Sequence, residues 1–255
     1  MNLAEMRART RQDLEDTDSA NYRWVDDEVD AAIERVVREF SLASPIDEQN
    51  DIATTDGSRQ IDISALTKLL KVDSVEFPLD NIPPHYQHFE VWGSVVYMQQ
   101  KGDGDDARIR LHKQHTLLGV TPWAASTAYA LATIVIPTAN NGLWYECTTA
   151  GTSAASEPTW PTTPGQTVTD GTTLVWTCRK STIPQQFEEI IVLGATGYLA
   201  TSASVYTVDK ASTGGPATTT NYLKWGQTRL EYYHARLKAI AVTNRILPRE
   251  LYTDD

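Results

Sequence analysis

The clearest structural signal in the chain is the stretch Asp26-Asp27-Glu28-Val29-Asp30-Ala31-Ala32-Ile33-Glu34-Arg35-Val36-Val37-Arg38-Glu39-Phe40. Its apolar residues follow the i, i+3, i+4, i+7 spacing of one helical face. They are Val29, Ala32, Ile33, Val36, Val37 and Phe40. Carboxylates crowd the start of the stretch, where they complement the helix dipole, and Pro45 follows its end. The stretch therefore predicts an amphipathic helix with Asp26 as its N-cap.

Three further helices are predicted around this one. The first begins at Asn2, which forms a capping pair with Glu5. A long helix over 185–210 follows Pro184, a residue suited to the first helical turn, and its many small apolar residues predict that it is buried at the centre of its domain. A last helix is predicted over 220–245, which brings the total to about four.

Between the second and third helices, residues 52–118 change to a period of two, which is typical of strands. Strands are predicted over 61–63, 71–77 and 89–97. A polar turn over 102–106 then leads to a partner strand over 108–113. This arrangement predicts a β-hairpin with an acidic tip.

Composition divides the chain. Residues 121–180 are rich in Thr, Ala, Pro and Trp, nearly free of charge, and hold four of the seven tryptophans and both cysteines. We interpret this stretch as a small all-β module inserted into a discontinuous host domain, 1–120 and 181–255. The predicted fold class is α+β: a helical host of about four helices with a β-hairpin and strand region, plus the inserted module.

Composition also limits the class of protein. The 255 residues are 41% hydrophobic and 22% charged, as in an ordinary folded protein. We expect no membrane partner and no signal peptide, because no apolar run is long enough. Two cysteines are too few for a disulfide-stapled scaffold or a four-cysteine zinc site. The net charge of −11 argues against bulk binding of nucleic acid.

The charge is uneven along the chain. Residues 13–30 hold eight acidic residues and one base, whereas 222–249 hold six bases and one acid. Opposite charge at the two ends can steer self-assembly or docking. Two solvated helix faces that differ by chance are the alternative.

No catalytic or cofactor-binding pattern is visible. None of the five histidines has the spacing of a metal site, and the aspartates at 103, 105 and 106 lack the spaced ligands of a calcium loop. No Gly-x-Ser-x-Gly nucleophile motif occurs. We therefore expect a protein that is not an enzyme and that needs no metal or other cofactor.

The host segments resemble the head–tail adaptor (connector) proteins of tailed bacteriophages. The matching stretches are Tyr22-Arg23-Trp24-Val25-Asp26-Asp27-Glu28-Val29-Asp30-Ala31-Ala32-Ile33, His115-Thr116-Leu117, and Ser181-Thr182-Ile183-Pro184 before the apolar helix. The resemblance implies a homo-oligomeric ring of about twelve copies on the portal protein. A stopper or tail-completion protein would bind below it, and genomic DNA would pass through the lumen without sequence-specific binding. The protein would lie at the head–tail interface (neck) of the virion after assembly in the host cytoplasm.

The same resemblance gives roles to two groups of residues. The segment after the last helix would dock on the portal, with Arg245, Leu247, Arg249, Leu251 and Tyr252 as its contact residues. Pro248 prevents this tail from extending the helix. Asp103, Asp105 and Asp106 are candidates to line the DNA channel, where carboxylates repel phosphate; an outward-facing hairpin tip is the alternative.

The 121–180 module is similar to small β-modules of phage structural proteins, related to the carbohydrate-binding modules of chitinases. Four stretches carry the similarity: Trp123 to Tyr129, Asn141 to Cys147, Glu157 to Pro161, and Asp170 to Trp176. Strand alternation places Leu143, Tyr145 and Cys147 on one core face and Leu174, Trp176 and Cys178 on another. Trp144 and Trp160 are the candidates for exposed glycan-stacking platforms; packing on the host domain or a neighbouring subunit is the alternative. Thr148-Thr149-Ala150 replaces the adjacent aromatic pair of the chitinase modules. We expect both cysteines to be reduced at first.

Three hypotheses for function result. The first is a structural virion protein, the adaptor ring that joins the portal to the tail or stopper and lines the DNA channel. The alternative is a glycan-binding surface or decoration protein that acts through residues 121–180 on a cell-surface glycan. A carbohydrate-active enzyme is the third, and it lacks paired carboxylates on a recognisable catalytic scaffold.

Overall fold

This computed structural model describes residues 1–206 and 217–244 of the chain. These residues contain four helices and twelve short strands. The chain divides into two compact units. The first unit contains Met1–Glu39 and His115–Leu237, and the second contains Phe40–Gln114 and the residues from Lys238 on. The prediction of a helical host domain is wrong, since 31% of the structure is helical and 27% forms strands in four antiparallel sheets.

The helices have the order expected from their periodicity. Helix α1 spans Leu3–Asp13, α2 Asp26–Ala43, α3 Glu188–Tyr206 and α4 Ala217–Asn244, and a 3-10 turn at Gln185–Phe187 precedes α3. The Asn2 side chain accepts a hydrogen bond from the Glu5 amide, which caps α1 as predicted. Val29, Ile33, Val36 and Phe40 are fully buried, so the predicted apolar face of α2 is confirmed.

Helix α3 is buried along most of its length, as its composition predicts, and α4 packs closely against it. The two backbones approach at Gly197 and Gly226: a Cβ atom at Gly226 would lie 3.0 Å from the Gly197 carbonyl oxygen and 2.7 Å from Thr201 Oγ1. Small residues on both helices permit this approach. The side chains of Ala195, Leu199 and Ala200 complete the interior of α3.

The second unit contains two three-stranded antiparallel sheets. Their strands are β1 (Ile46–Ala53), β2 (Gln60–Asp62), β3 (Leu69–Glu76), β4 (Phe89–Trp92), β5 (Val95–Met98) and β6 (Asp106–Lys113). The strand orders are β1-β6-β3 and β2-β5-β4. One apolar core belongs to this unit, and its larger members are Ile61, Val72, Phe77, Val96, Ile109 and Leu111.

Two strand predictions in this unit are wrong. Residues 89–97 form two strands, because Gly93, with φ +59°, turns the chain between β4 and β5. The strand after the acidic turn, β6, pairs with β1 and β3 rather than with the strand before that turn. Strand β1 was not predicted, because its sequence IDEQNDIA offers few apolar residues to show alternation.

Residues 121–180 form two small antiparallel sheets within the first unit. Their strands are β7 (Ala128–Tyr129), β8 (Ile134–Val135), β9 (Trp144–Thr149), β10 (Gly151–Thr152), β11 (Thr167–Asp170) and β12 (Leu174–Arg179). The core contains Tyr145, Cys147, Leu174, Trp176 and Cys178, with Leu143 packed against it, which confirms the two predicted core faces. The Thr182 amide donates to the Thr116 carbonyl at 3.2 Å, so the segments that flank the module lie side by side. That the module folds as a separate domain stays a prediction.

Candidate interaction surface

The outer side of α4 carries an exposed line of aromatic and small residues. Trp225, Thr228, Tyr232 and Ala235 follow a 3-4-3 spacing, and Ala239 and Val242 continue it to the end of the helix. We call these six residues the α4 stripe. Trp225 is 38% exposed and Tyr232 56% exposed. A spacing that averages 3.5 residues is typical of a helix face that packs along another chain segment.

Positive charge borders the α4 stripe on both sides. The Arg229 guanidinium lies 4.6 Å from the Trp225 ring centroid, and the Arg236 guanidinium lies 5.8 Å from that of Tyr232. Lys224 and Lys238 lie on the opposite flank of the stripe. Lys224 directly precedes Trp225, and Lys238 directly precedes Ala239. This pattern of an apolar line with flanking charges resembles the a/d and e/g positions of a coiled coil.

An open groove of about 710 Å³ lies beside the stripe, between α1, α3 and α4. Its charged lining residues are Arg9, Asp13, Glu189, Arg229 and Arg236. Arg229 is anchored there, since it pairs with the Asp13 carboxylate and donates from Nε to Thr196 Oγ1 at 2.9 Å. Arg9 is largely exposed, and its guanidinium lies 3.9 Å from the carboxylate of Glu188. The groove therefore offers guanidinium groups to an incoming carboxylate.

The acidic stretch 13–30 is partly neutralised within the chain. Asp16, only 8% exposed, accepts hydrogen bonds from Arg11 Nη1 at 2.7 Å and from the Arg23 amide at 2.8 Å. Arg11 also donates to Asp26 and to the Trp24 carbonyl. In the same way, Arg7 pairs with Asp26 and Asp30, and the hydrogen bonds that Arg7 donates to the Asp30 carboxylate raise the pKa of Arg7. These bonds fold the stretch into a fixed loop.

Four other carboxylates of this stretch stay exposed. They belong to Glu15, Asp18, Asp27 and Glu28, and no cation of residues 1–206 or 217–244 lies within 4 Å of them. Asp18 accepts hydrogen bonds from the Asn21 side chain and the Ala20 amide, which lower the pKa of its carboxyl group. Tyr22 and Val25 are the exposed large apolar side chains of this stretch: Val25 is 60% exposed, and Tyr22 is 40% exposed with the Arg11 guanidinium 3.6 Å from its ring centroid. We call residues 15–28 the acidic segment.

Trp144 and Trp160, the two tryptophans predicted to form an exposed stacking platform, are buried and half-buried in the structure. Trp144 is 3% exposed, and its Cβ lies against Gly119 in the segment that precedes the module. Trp160 is half-buried: its ring centroid lies 4.2 Å from that of Tyr145, and its Nε1 donates to Glu157 at 2.7 Å. Trp144 therefore follows the alternative prediction of packing on the host segments, and an exposed pair of stacking rings is not formed here.

Three of the other predicted site residues belong to the second unit. Asp103, Asp105 and Asp106 are exposed, in the loop before β6 and at its first residue. The Asp105 carbonyl accepts a hydrogen bond from the Thr54 amide, which fixes that loop. The tail residues Arg245, Leu247, Arg249, Leu251 and Tyr252 lie outside the residues that the structure describes.

The described residues hold neither a metal-binding cluster nor a membrane-spanning helix. Within the described ranges, no group of three or more His, Cys, Asp or Glu side chains could hold a metal ion. Among the same residues, no helix has the length and apolar character needed to cross a membrane.

Burial raises the pKa of both thiols, Cys147 and Cys178, so the thiols of the module core are kept protonated.

The α4 stripe was not predicted from the sequence. The apolar residues that stand out in the sequence of α4 belong to its inner face, which contains the fully buried Tyr233 and the buried Leu237. The seven-residue spacing between Trp225 and Tyr232, with Thr228 between them, is the signal of the outer face. The sequence matches no protein-family model and no curated protein.

Proposed function

We propose that this protein is a structural virion protein, a head–tail adaptor whose copies form a ring on the portal. The observation that carries the proposal is the α4 stripe. Exposed Trp and Tyr side chains beside arginines are the residue types enriched at protein–protein contacts. A monomer gains nothing from exposing them along one helix.

Charge supports the same proposal. The net charge of −11 repels phosphate, so a lumen lined by carboxylates such as Asp103, Asp105 and Asp106 would let genomic DNA pass without gripping it. The portal contact is assigned to the tail that contains Arg245, Leu247, Arg249, Leu251 and Tyr252. A stopper or tail-completion protein would bind the opposite side of the ring in the neck, after assembly in the host cytoplasm. We propose no catalytic activity.

The buried position of Trp144 does not favour the alternative of a glycan-binding protein. A stacking platform must offer an aromatic face to the sugar, and at 3% exposure Trp144 offers none. The half-buried Trp160 would have to act without it.

The test of the proposed function is assembly. The double variant Trp225→Ala/Tyr232→Ala should stay monomeric in light scattering at concentrations where the natural chain forms rings. Trp92→Ala is the matched control, because Trp92 is a more exposed tryptophan in the second unit; this variant should assemble normally. A natural chain that is monomeric with and without portal, or a double variant that assembles normally, would contradict the proposal.

A further inference from the structure

Two sets of exposed charge on the first unit have opposite sign. The acidic set is Glu15, Asp18, Asp27 and Glu28 in the acidic segment. The basic set borders the α4 stripe and its groove: Arg9, Lys224 and Arg236. In the part of the chain that the structure describes, no carboxylate lies within 4 Å of Lys224 or Arg236. Each set is therefore available to a partner.

The two sets do not neutralise each other within one chain. The acidic segment does touch its own α4, through the Arg23 guanidinium 4.7 Å from the Tyr222 ring centroid, and the nearby Asp13 pairs with Arg229. Those contacts use other groups. The four carboxylates of the acidic set have no ion pair with α4 of the same chain.

A second copy's own α4 complements the stripe poorly. The charged flanking positions of α4 are Lys224, Arg229, Glu231, Arg236 and Lys238, which sum to a positive charge. In a pair of α4 helices Glu231 offsets only part of the repulsion among these cations, and the like charges that remain opposed destabilise the pair. An occupant that is acidic and apolar matches the stripe better.

The acidic segment has both properties. Its exposed Tyr22 and Val25 can pack on Trp225 and Tyr232, while its carboxylates reach the flanking cations. Guanidinium–carboxylate contacts at such a rim fix orientation and speed association more than they add affinity.

We infer that the α4 stripe of one copy is covered by the acidic segment of a second copy. This inference rests on the proposed function, because it names the contact from which the ring is built. Where each copy covers the stripe of the next copy and not of the copy that covers its own, the contact is head-to-tail, and a contact of this type closes into a ring when the rotation per copy allows it.

Charge reversal tests this contact. One variant carries Glu15→Lys/Asp27→Lys and a second carries Lys224→Glu/Arg236→Glu. Each alone should need an at least about tenfold higher concentration to assemble. A 1:1 mixture should assemble like the natural chain, because each acidic surface then meets a basic one. The chain with all four changes should assemble by itself, and Asp56→Lys/Glu90→Lys, with exposed acids of the second unit reversed, should behave like the natural chain.

A second measurement remains informative if a reversed variant folds poorly. Asp27→Cys and Arg236→Cys chains, mixed under mild oxidation, should form a disulfide-linked dimer that neither forms alone in comparable yield. Normal assembly of the Glu15→Lys/Asp27→Lys variant, or absence of the mixed cross-link in assembled rings, would overturn the inference. If Trp225→Ala/Tyr232→Ala blocks assembly while charge reversal does not, the proposed function stands and another segment covers the stripe. If the natural chain never assembles, the proposed function itself fails.

Discussion

Replacement of Asp16 by Ala should destabilise the first unit more than the same change at any other carboxylate of the acidic segment. Asp16 is nearly buried and accepts hydrogen bonds from Arg11 Nη1 at 2.7 Å and from the Arg23 amide at 2.8 Å. The Trp24 amide is a third, longer donor at 3.4 Å. The carboxylate therefore holds both α1 and the chain that returns to α2.

The size of the effect follows from what Arg11 loses. Removing one partner of a buried ion pair costs about 3–5 kcal/mol when the other charge is left uncompensated. Arg11 keeps its bonds to Asp26 at 2.7 Å and to the Trp24 carbonyl at 2.9 Å, so the loss should lie at the lower end, about 3 kcal/mol. For a chain of this size that corresponds to a fall in Tm of about 6–12 °C.

Thermal unfolding followed by circular dichroism at pH 7 measures the effect. Asp18→Ala is the control, because Asp18 is exposed and its hydrogen bonds stay within its own turn; its Tm should change by no more than about 2 °C. Asp16→Asn, which keeps one acceptor oxygen, should fall between the two. An Asp16→Ala variant that melts with the control would refute the assignment of Asp16 as the anchor of this loop.

The Gly226→Ala change should lower stability by about 1 kcal/mol in urea unfolding, because overpacking against the α3 backbone outweighs a gain in helix propensity. Gln227→Ala, exposed on the next residue, should change it by less than about 0.5 kcal/mol. Desolvation and the hydrogen bond to a neighbouring carboxylate raise the pKa of Tyr198 from 10.0 to about 12. Since the folded chain then keeps a proton that the unfolded chain releases, the free energy of unfolding should fall as pH rises from 10 to 12, and Tyr198→Phe should flatten that fall in alkaline denaturation curves. Trp144→Ala should cost about 3–5 kcal/mol by loss of buried area, whereas Trp160→Ala should cost less; equal and small losses in calorimetry would show that neither ring is packed.

Helix α2 could be predicted because all of its information is local. Six apolar residues at helical spacing, carboxylates at the start and a proline after the end agree with one another, and the structure places Asp26–Ala43 in a helix. Helix α4 was predicted with nearly the same bounds for the same reason. Periodicity predicts which face of each helix is buried in the core. It does not predict whether another face with apolar residues stays exposed to solvent.

The sheets of the second unit could not be predicted in the same way. Strand β1 has the alternating half-buried pattern of an edge strand but carries Asp, Glu, Gln and Asn at most positions, so hydropathy does not reveal it. Its stability comes from eight residue pairs with β6, among them Asp51 with Arg108. Whether such a segment forms a strand depends on pairing partners that are distant in the sequence. A single sequence does not show these partners.

The module residue Trp144 shows the limit of alternation. Strand β9 places Tyr145 and Cys147 on the core face as predicted, so Trp144 points the other way. Alternation alone leaves two outcomes for a residue that points away from one core: exposure, or packing against another part of the protein. Gly119 and the segment that precedes the module cover Trp144, because a small module buries both faces of a strand when its flanking chain packs across it.

The charges of the acidic stretch separate into a set that stabilises the fold and a set that remains for association. Asp16, Asp26 and Asp30 face Arg7 and Arg11 and shape the loop. Asp27, exposed and without a described cation within 4 Å, contributes little to that shape. Reversal of Asp27 should therefore lower the Tm only slightly, through its place in the first turn of α2, while it weakens assembly. Asp16→Ala should lower both strongly, because the loop that presents Tyr22 and Val25 is lost. If a change at Asp27 lowered stability as much as a change at Asp16, the exposed carboxylates would also stabilise the fold, and the division into two sets of charges would be wrong.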